Sequence, residues 1–126
     1  MVKHRVTSFE DLDVYQLAFK LQQQIFELSK TWPKDEQYSL TDQVRRSSRS
    51  IGANIAEAWA KRRYAAHFVS KLTDADGEQN ETRHWLKTAL ACAYLGPQQH
   101  TDLDKRCKHI GAMLGRIMAD SDSWTK

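Results

Sequence analysis

Six basic residues are the side chains best suited to binding chemistry in this sequence. They form two groups, one inside a predicted helix and one in the turn that follows it: Arg45, Arg46, Arg49, Lys61, Arg62 and Arg63. A guanidinium group is planar and makes paired hydrogen bonds to phosphate oxygens. The set therefore suits RNA or another partner that carries negative charge.

The same basic residues have two other possible uses. They can be simply solvated, or they can form ion pairs across an interface between subunits. The natural counterpart for such pairs is an acidic run in the third predicted helix, which comprises Asp74, Asp76, Glu78 and Glu81. The sequence leaves all three uses open.

A second polar set suggests a small-ligand or metal site, and it contains Asn54, Glu57, Glu81 and His84. Asn54 borders a predicted apolar stripe, where an amide without partners costs about 1–3 kcal/mol. The competing interpretation is structural, because a buried Asn can fix the register of packed helices or of subunits.

Patterns for metals and catalysis are weak. Glu81 and His84 form a single Glu-x-x-His pair, whereas a di-iron bundle uses two, and the Cys107–His109 spacing does not fit zinc. We find no nucleophile–base set and no Gly-rich phosphate loop. We therefore predict a protein that is not an enzyme and uses neither a metal nor another cofactor.

Length and composition describe an ordinary globular domain. The chain has 126 residues, 40% of them hydrophobic, and a formal net charge of +3. No segment approaches the roughly 20 apolar residues that cross a bilayer, and no apolar run follows the basic start. Cys92 and Cys107 are expected to be reduced thiols. We expect a cytoplasmic protein without membrane contact.

Hydrophobic periodicity predicts four helices, at about residues 9–31, 39–61, 64–95 and 102–119, followed by a polar tail. Pro33 should end the first helix and Gly96-Pro97 the third, and Thr101 should cap the fourth. Short connections favour antiparallel neighbours. The predicted fold is all-α, a single antiparallel up-down four-helix bundle over residues 1–126.

The first helix is apolar over roughly 200° of its circumference, about twice the stripe of an ordinary surface helix. One bundle core cannot easily cover such an arc, so the pattern predicts a second buried surface between subunits. Aromatic residues off the main stripes add to it, since they are enriched in interfaces. The predicted interface residues are Tyr15, Phe19, Phe26, Trp59 and Trp85.

Four stretches share motifs with one known family. Residues 9–18 resemble its opening F-x-D-L-x-V-[WY]-x-x-A, and residues 33–40 resemble its P-x-x-E-x-Y-x-L loop. Residues 43–57 resemble its most distinctive motif, Q-[IV]-R-R-x-x-x-S-I-x-x-N-I-A-E, and residues 75–81 resemble A-x-G-S-x-x-E. The chain thus resembles the four-helix bundle proteins of 23S rRNA intervening sequences, also called S23 ribosomal proteins.

The resemblance implies an up-down bundle that assembles as a ring, typically a homopentamer, whose molecular role is poorly established. The polar motif residues that it matches are Ser50, Asn54, Glu57 and Glu81. Two positions depart from the family pattern: Ala58 replaces the usual Gly, and Glu78 replaces the usual Ser. Any close helix approach or site that depends on those small residues is expected to differ in this chain.

Overall fold

The computed structural model describes residues 5–125 as an antiparallel up-down bundle of four long helices, which confirms the predicted fold class. No β-strand occurs in that range. A short fifth helix follows the bundle. The helices are α1 (Asp13–Ser29), α2 (Asp42–Ala60), α3 (Ala65–Ala91), α4 (Pro97–Ala119) and α5 (Ser121–Trp124).

A separate turn precedes α1, where we predicted that the helix would already begin. Ser8 caps a 3₁₀ turn at Phe9–Asp11: its hydroxyl accepts from the N–H of Glu10 at 3.2 Å, and the Asp11 carboxylate accepts from the N–H of Ser8 at 3.1 Å. Leu12 then adopts an extended backbone and buries its side chain, so α1 begins at Asp13. The reciprocal cap stabilises the turn as an element of its own.

The α1–α2 connection is also structured. Pro33 precedes a 3₁₀ turn at Lys34–Glu36. This turn is followed by a π-helical turn at Gln37–Thr41, which leads into α2. Leu40 and Thr41 are buried in that π-helical turn. The connection is therefore anchored to the core just before α2 begins.

The α3–α4 corner corrects two predicted boundaries. α3 ends at Ala91 because Ala93 takes a left-handed φ of 63°, and the N–H of Tyr94 bonds to the carbonyl of Ala89 at 2.9 Å. This arrangement satisfies the last carbonyls of the helix. α4 begins at Pro97 and not after Thr101. Proline is favoured at the first helical position, where its missing N–H has no helical partner to lose.

The core runs along the inner faces of all four long helices. Its fully buried large side chains include Leu21, Ile51, Leu72, Leu86 and Ile110. Between α2 and α3 the hydroxyls of Ser47 and Thr82 form a buried hydrogen bond of 2.9 Å. This bond pairs two polar groups that would otherwise be costly to bury.

The segment after α4 differs from the polar tail that we predicted. It forms α5, and Trp124 is partly buried against the core beside Met113 and Ile117. This segment packs because the indole ring of Trp124 gives it enough apolar surface, although its other residues are polar. Within residues 5–125, none of the helices combines the length and the apolarity that crossing a membrane requires.

Two glycines one turn apart in α4 provide a matched test of this packing. A Cβ at Gly115 would meet no neighbour within 4 Å, whereas one at Gly111 would lie 2.9 Å from Nε2 of buried Gln79, which is bonded to Asp76. We expect Gly115→Ala to raise the free energy of unfolding by about 0.5–1 kcal/mol through helix propensity. Gly111→Ala should lack that gain, as measured by urea denaturation. An equal gain in both variants would contradict the packing of α4 on α3.

Candidate nucleic-acid interface

The outer edge of α2 places the first basic group around a shallow concavity, here called the arginine depression. It has a volume of about 630 Å³. Helix geometry brings residues three and four apart onto one edge, away from the buried stripe. The lining residues are Tyr38, Asp42, Gln43, Arg45, Arg46, Arg49, Ser50 and Ala53.

Arg45 is turned toward α1 and is only partly exposed. Its Nε donates a hydrogen bond of 2.8 Å to the hydroxyl of buried Ser29, and its guanidinium lies 4.8 Å from the centroid of the Phe26 ring. A positive charge in this position is favourable, because Ser29 is the last residue of α1 and helix carboxyl ends carry partial negative charge. Arg45 therefore joins α2 to the end of α1.

Arg46 and Arg49 are exposed, and neither forms an ion pair with any residue of the range 5–125. The Arg49 guanidinium lies 5.6 Å from the Phe26 ring centroid, on the same ring as Arg45. Cations above an aromatic face are attracted to it without losing their charge. The depression thus presents two guanidinium groups that form no ion pair in residues 5–125, and Asp42 is the one carboxylate among its lining residues.

Glu78 is the carboxylate whose pKa responds to Arg46. Burial raises the pKa of Glu78, and the neighbouring charge of Glu81 adds to the increase, while the Ser50 hydroxyl and the Arg46 charge act in the opposite direction. The charge of Arg46 therefore acts on the Glu78 carboxylate of α3. The attraction stops short of the contact distance of an ion pair within the described part of the chain.

The second basic group lies away from the depression, at the turn between α2 and α3. Lys61 follows Arg49 by twelve positions, which is about 18 Å along a helix. Arg62 donates from Nη1 to the carbonyl of Trp59 at 2.8 Å, and its guanidinium stacks 4.0 Å from that indole ring. Lys61 and Arg63 are exposed. The structure therefore does not join the six basic residues into one site.

The acidic run on α3 is largely engaged inside the protomer. Asp74 lies 3.8 Å from Lys71, and the Glu81 carboxylate accepts from Nε1 of Trp85 at 3.3 Å. Lys71 also pairs with Glu57 at 2.8 Å, and that hydrogen bond lowers the pKa of Glu57. Part of this run and Asn54 of α2 line a depression of about 410 Å³. Its lining residues are Asn54, Thr73, Asp74, Gly77, Glu78 and Glu81.

The polar set suggested for a small ligand or metal is only partly brought together. Asn54 and Glu81 line the depression just described, but Glu57 and His84 are not among its lining residues. Asn54 donates from Nδ2 to the carbonyl of Ser50 at 2.9 Å, and His84 packs edge-on against Trp85 at 4.8 Å. Across residues 5–125, no group of three or more His, Cys, Asp or Glu side chains has an arrangement that would hold a metal ion.

The aromatic residues assigned to a subunit interface have different surroundings. Tyr15 packs edge-on against Phe9, with ring centroids 4.8 Å apart. The ring of Phe26 lies beneath the guanidinium groups of Arg45 and Arg49, and that of Trp59 lies beneath Arg62. Trp85 is partly buried. Phe19 is 46% exposed. It lines a groove of about 810 Å³ between α1 and α4, where Leu28 and Leu103 also contribute.

Sequence reasoning missed Tyr38, which lines the arginine depression and is 75% exposed. It lies in the π-helical turn before α2, where no periodic pattern marks a face. The available signal was the family motif P-x-x-E-x-Y-x-L at residues 33–40, in which Tyr38 occupies the aromatic position.

Comparison with known proteins identifies a family and, among the solved structures that match, a crystal structure of a related protein. Residues 10–116 match the family model described as 23S rRNA-intervening sequence protein. A crystal structure from Bacteroides thetaiotaomicron, described as a protein of unknown function from the S23 ribosomal protein family, is 29% identical to this chain. The match covers 84% of this chain and 95% of that one, with a TM-score of 0.76. None of the curated proteins compared matches significantly.

The different positions of the arginines give a stability test. We expect Arg45→Ala to lower the free energy of unfolding by about 1–2 kcal/mol, because it removes a charged hydrogen bond to a buried hydroxyl. Arg49→Ala should change it by less than about 0.5 kcal/mol, as for other surface substitutions. Urea denaturation of both variants provides the measurement. Equal losses in the two would show that Arg45 is not the anchoring residue.

Proposed function

The chain belongs to the family of 23S rRNA-intervening sequence proteins, and we propose that it is a self-associating helical bundle that binds RNA through the arginine depression. Neither the family nor the solved relative indicates an enzymatic activity. The proposed role is accordingly one of binding. Its main support is that Arg46 and Arg49 are exposed and have no ion-pair partner in residues 5–125.

Phosphate is the group that best fits these two arginines. Each guanidinium presents a planar set of donors that matches two phosphate oxygens. Gln43 lines the same depression and adds an amide that can hydrogen-bond to sugar or phosphate. Most protein–nucleic acid hydrogen bonds go to that backbone, which positions the protein without reading sequence.

Self-association would strengthen a site of this size. Two arginines neutralise few phosphates, so one protomer should bind RNA weakly. An assembly repeats the depression once per subunit and turns later contacts into intramolecular ones. The homopentameric ring implied by the family resemblance would present five copies.

RNA binding is tested by fluorescence anisotropy at two salt concentrations. For Arg46→Ala/Arg49→Ala we expect weaker binding and a shallower dependence of log K on log salt, by about 1.4 for two lost phosphate contacts. Lys87→Ala/Arg116→Ala is the matched control, since it removes the same charge from exposed positions on α3 and α4.

Equal weakening by the control pair would mean that net charge, and not the depression, governs binding. A wild-type protein that binds no RNA at low salt would reject the function. Binding of a protein partner that depends on Arg46 and Arg49, in the absence of RNA binding, would replace RNA by that partner.

Self-association is supported by the groove between α1 and α4. Phe19 exposes nearly half of its surface there, with the apolar side chains of Leu28 and Leu103 nearby. Large exposed apolar side chains are enriched where proteins contact one another. Among the three α1 residues that the sequence predicted for the interface, Phe19 is the exposed one, whereas Tyr15 and Phe26 are partly buried within the protomer.

We expect light scattering to give a mass that is a multiple of the 14.6 kDa protomer. Phe19→Asp should shift that mass toward the monomer, because a charge would be buried without a partner in the interface. Tyr64→Asp is the control: Tyr64 is 59% exposed, and it lies at the start of α3, away from the groove. A wild-type monomer at micromolar concentration would contradict self-association.

A further inference from the structure

We propose that the arginine depression selects unpaired RNA, and that Tyr38 makes the selection by stacking on an exposed base. This inference rests on the RNA-binding function proposed above and names the form of RNA that the site takes. It follows from one juxtaposition: an open aromatic ring and two unpaired guanidinium groups line the same concavity.

Tyr38 has the most exposed ring among the large hydrophobic side chains of residues 5–125, at 75%. Tyr38 has no ring partner in the described structure. Other aromatic residues do pack against a neighbouring ring, among them Phe9, Tyr15, Phe19 and Tyr94. Three quarters of the Tyr38 surface is therefore open, and no other ring of residues 5–125 stacks on it. An aromatic side chain exposed to this extent is left without the apolar contacts that normally stabilise it.

The turn that carries the ring is nevertheless anchored to the core. Tyr38 lies in the π-helical turn at Gln37–Thr41, and that turn buries Leu40 and Thr41, which are 2% and 6% exposed. The backbone that bears Tyr38 is thus anchored to the core two residues later. A stacking platform on an anchored turn loses less conformational freedom on binding than one on a free loop.

Stacking on Tyr38 distinguishes unpaired from paired RNA. In an A-form duplex the bases are stacked on one another and their faces are closed to protein side chains, while unpaired bases can turn out and stack on aromatic rings. The arginines can contact the phosphates of either form. Tyr38 should therefore add affinity for single strands and contribute nothing to duplexes.

The test measures anisotropy with a 12-nucleotide unstructured RNA and with the same strand annealed to its complement. Tyr38→Ala should bind the single strand about tenfold more weakly, as expected for the loss of one base stack, with unchanged duplex affinity. Tyr38→Phe should retain wild-type affinity for both. Tyr64→Ala, which removes another exposed tyrosine, should change neither. Circular dichroism checks that each variant is folded.

The outcomes separate this inference from the proposed function. If the wild type binds RNA but Tyr38→Ala loses no preference for the single strand, the stacking role is overturned and RNA binding stands. If the wild type binds neither RNA, both fall. If Tyr38→Ala lowers the mass in light scattering, Tyr38 contacts a second copy of the chain, which also overturns the inference.

Discussion

The packing of α2 between α1 and α3 is the constraint on which the site depends. α2 buries a broad face, and much of it consists of small side chains, among them Ser47, Gly52 and Ala58. Small residues let both neighbouring helices approach closely. Tyr15 on α1 would lie 3.4 Å from a Cβ at Gly52, and Thr82 on α3 bonds directly to Ser47. The exposed outer edge of α2 carries its remaining charged residues, which are Asp42, Arg46, Arg49 and Glu57.

The same packing divides the arginines by role. Arg45 borders α1, and its guanidinium binds Ser29 and covers Phe26, so its charge serves the fold. Arg46 and Arg49 lie farther round the helix, where no carboxylate comes within ion-pair distance in the part of the chain that the structure describes. A guanidinium that is already bonded has fewer donors for a ligand. The division leaves two arginines for binding.

The sequence predicts the bundle because burial repeats with the helical period, as in α2, where Val44, Ile51, Ile55 and Ala58 are buried at spacings of seven, four and three. Prediction from the sequence fails where the structure is not periodic and depends on single residues. The three cases are the extended backbone of Leu12, the start of α4 at Pro97, and the packing of Trp124. The sequence predicted which residue types could form the site, namely the arginines, but not how these residues are arranged in the structure. A helical wheel cannot show that Ser29 binds Arg45, that Phe9 covers Tyr15, or that the turn before α2 brings Tyr38 to the arginines.

The central claim, that Arg46 and Arg49 bind RNA while Arg45 is held by the fold, is tested most directly by NMR of the arginine Nε–Hε groups. On titration with a short single-stranded RNA, we expect the Arg46 and Arg49 signals to shift. The Arg45 and Arg62 signals should stay in place, since Ser29, Phe26 and Trp59 already hold them. Shifts confined to arginines outside the depression, or no shift of Arg46 and Arg49 at saturating RNA, would contradict this claim.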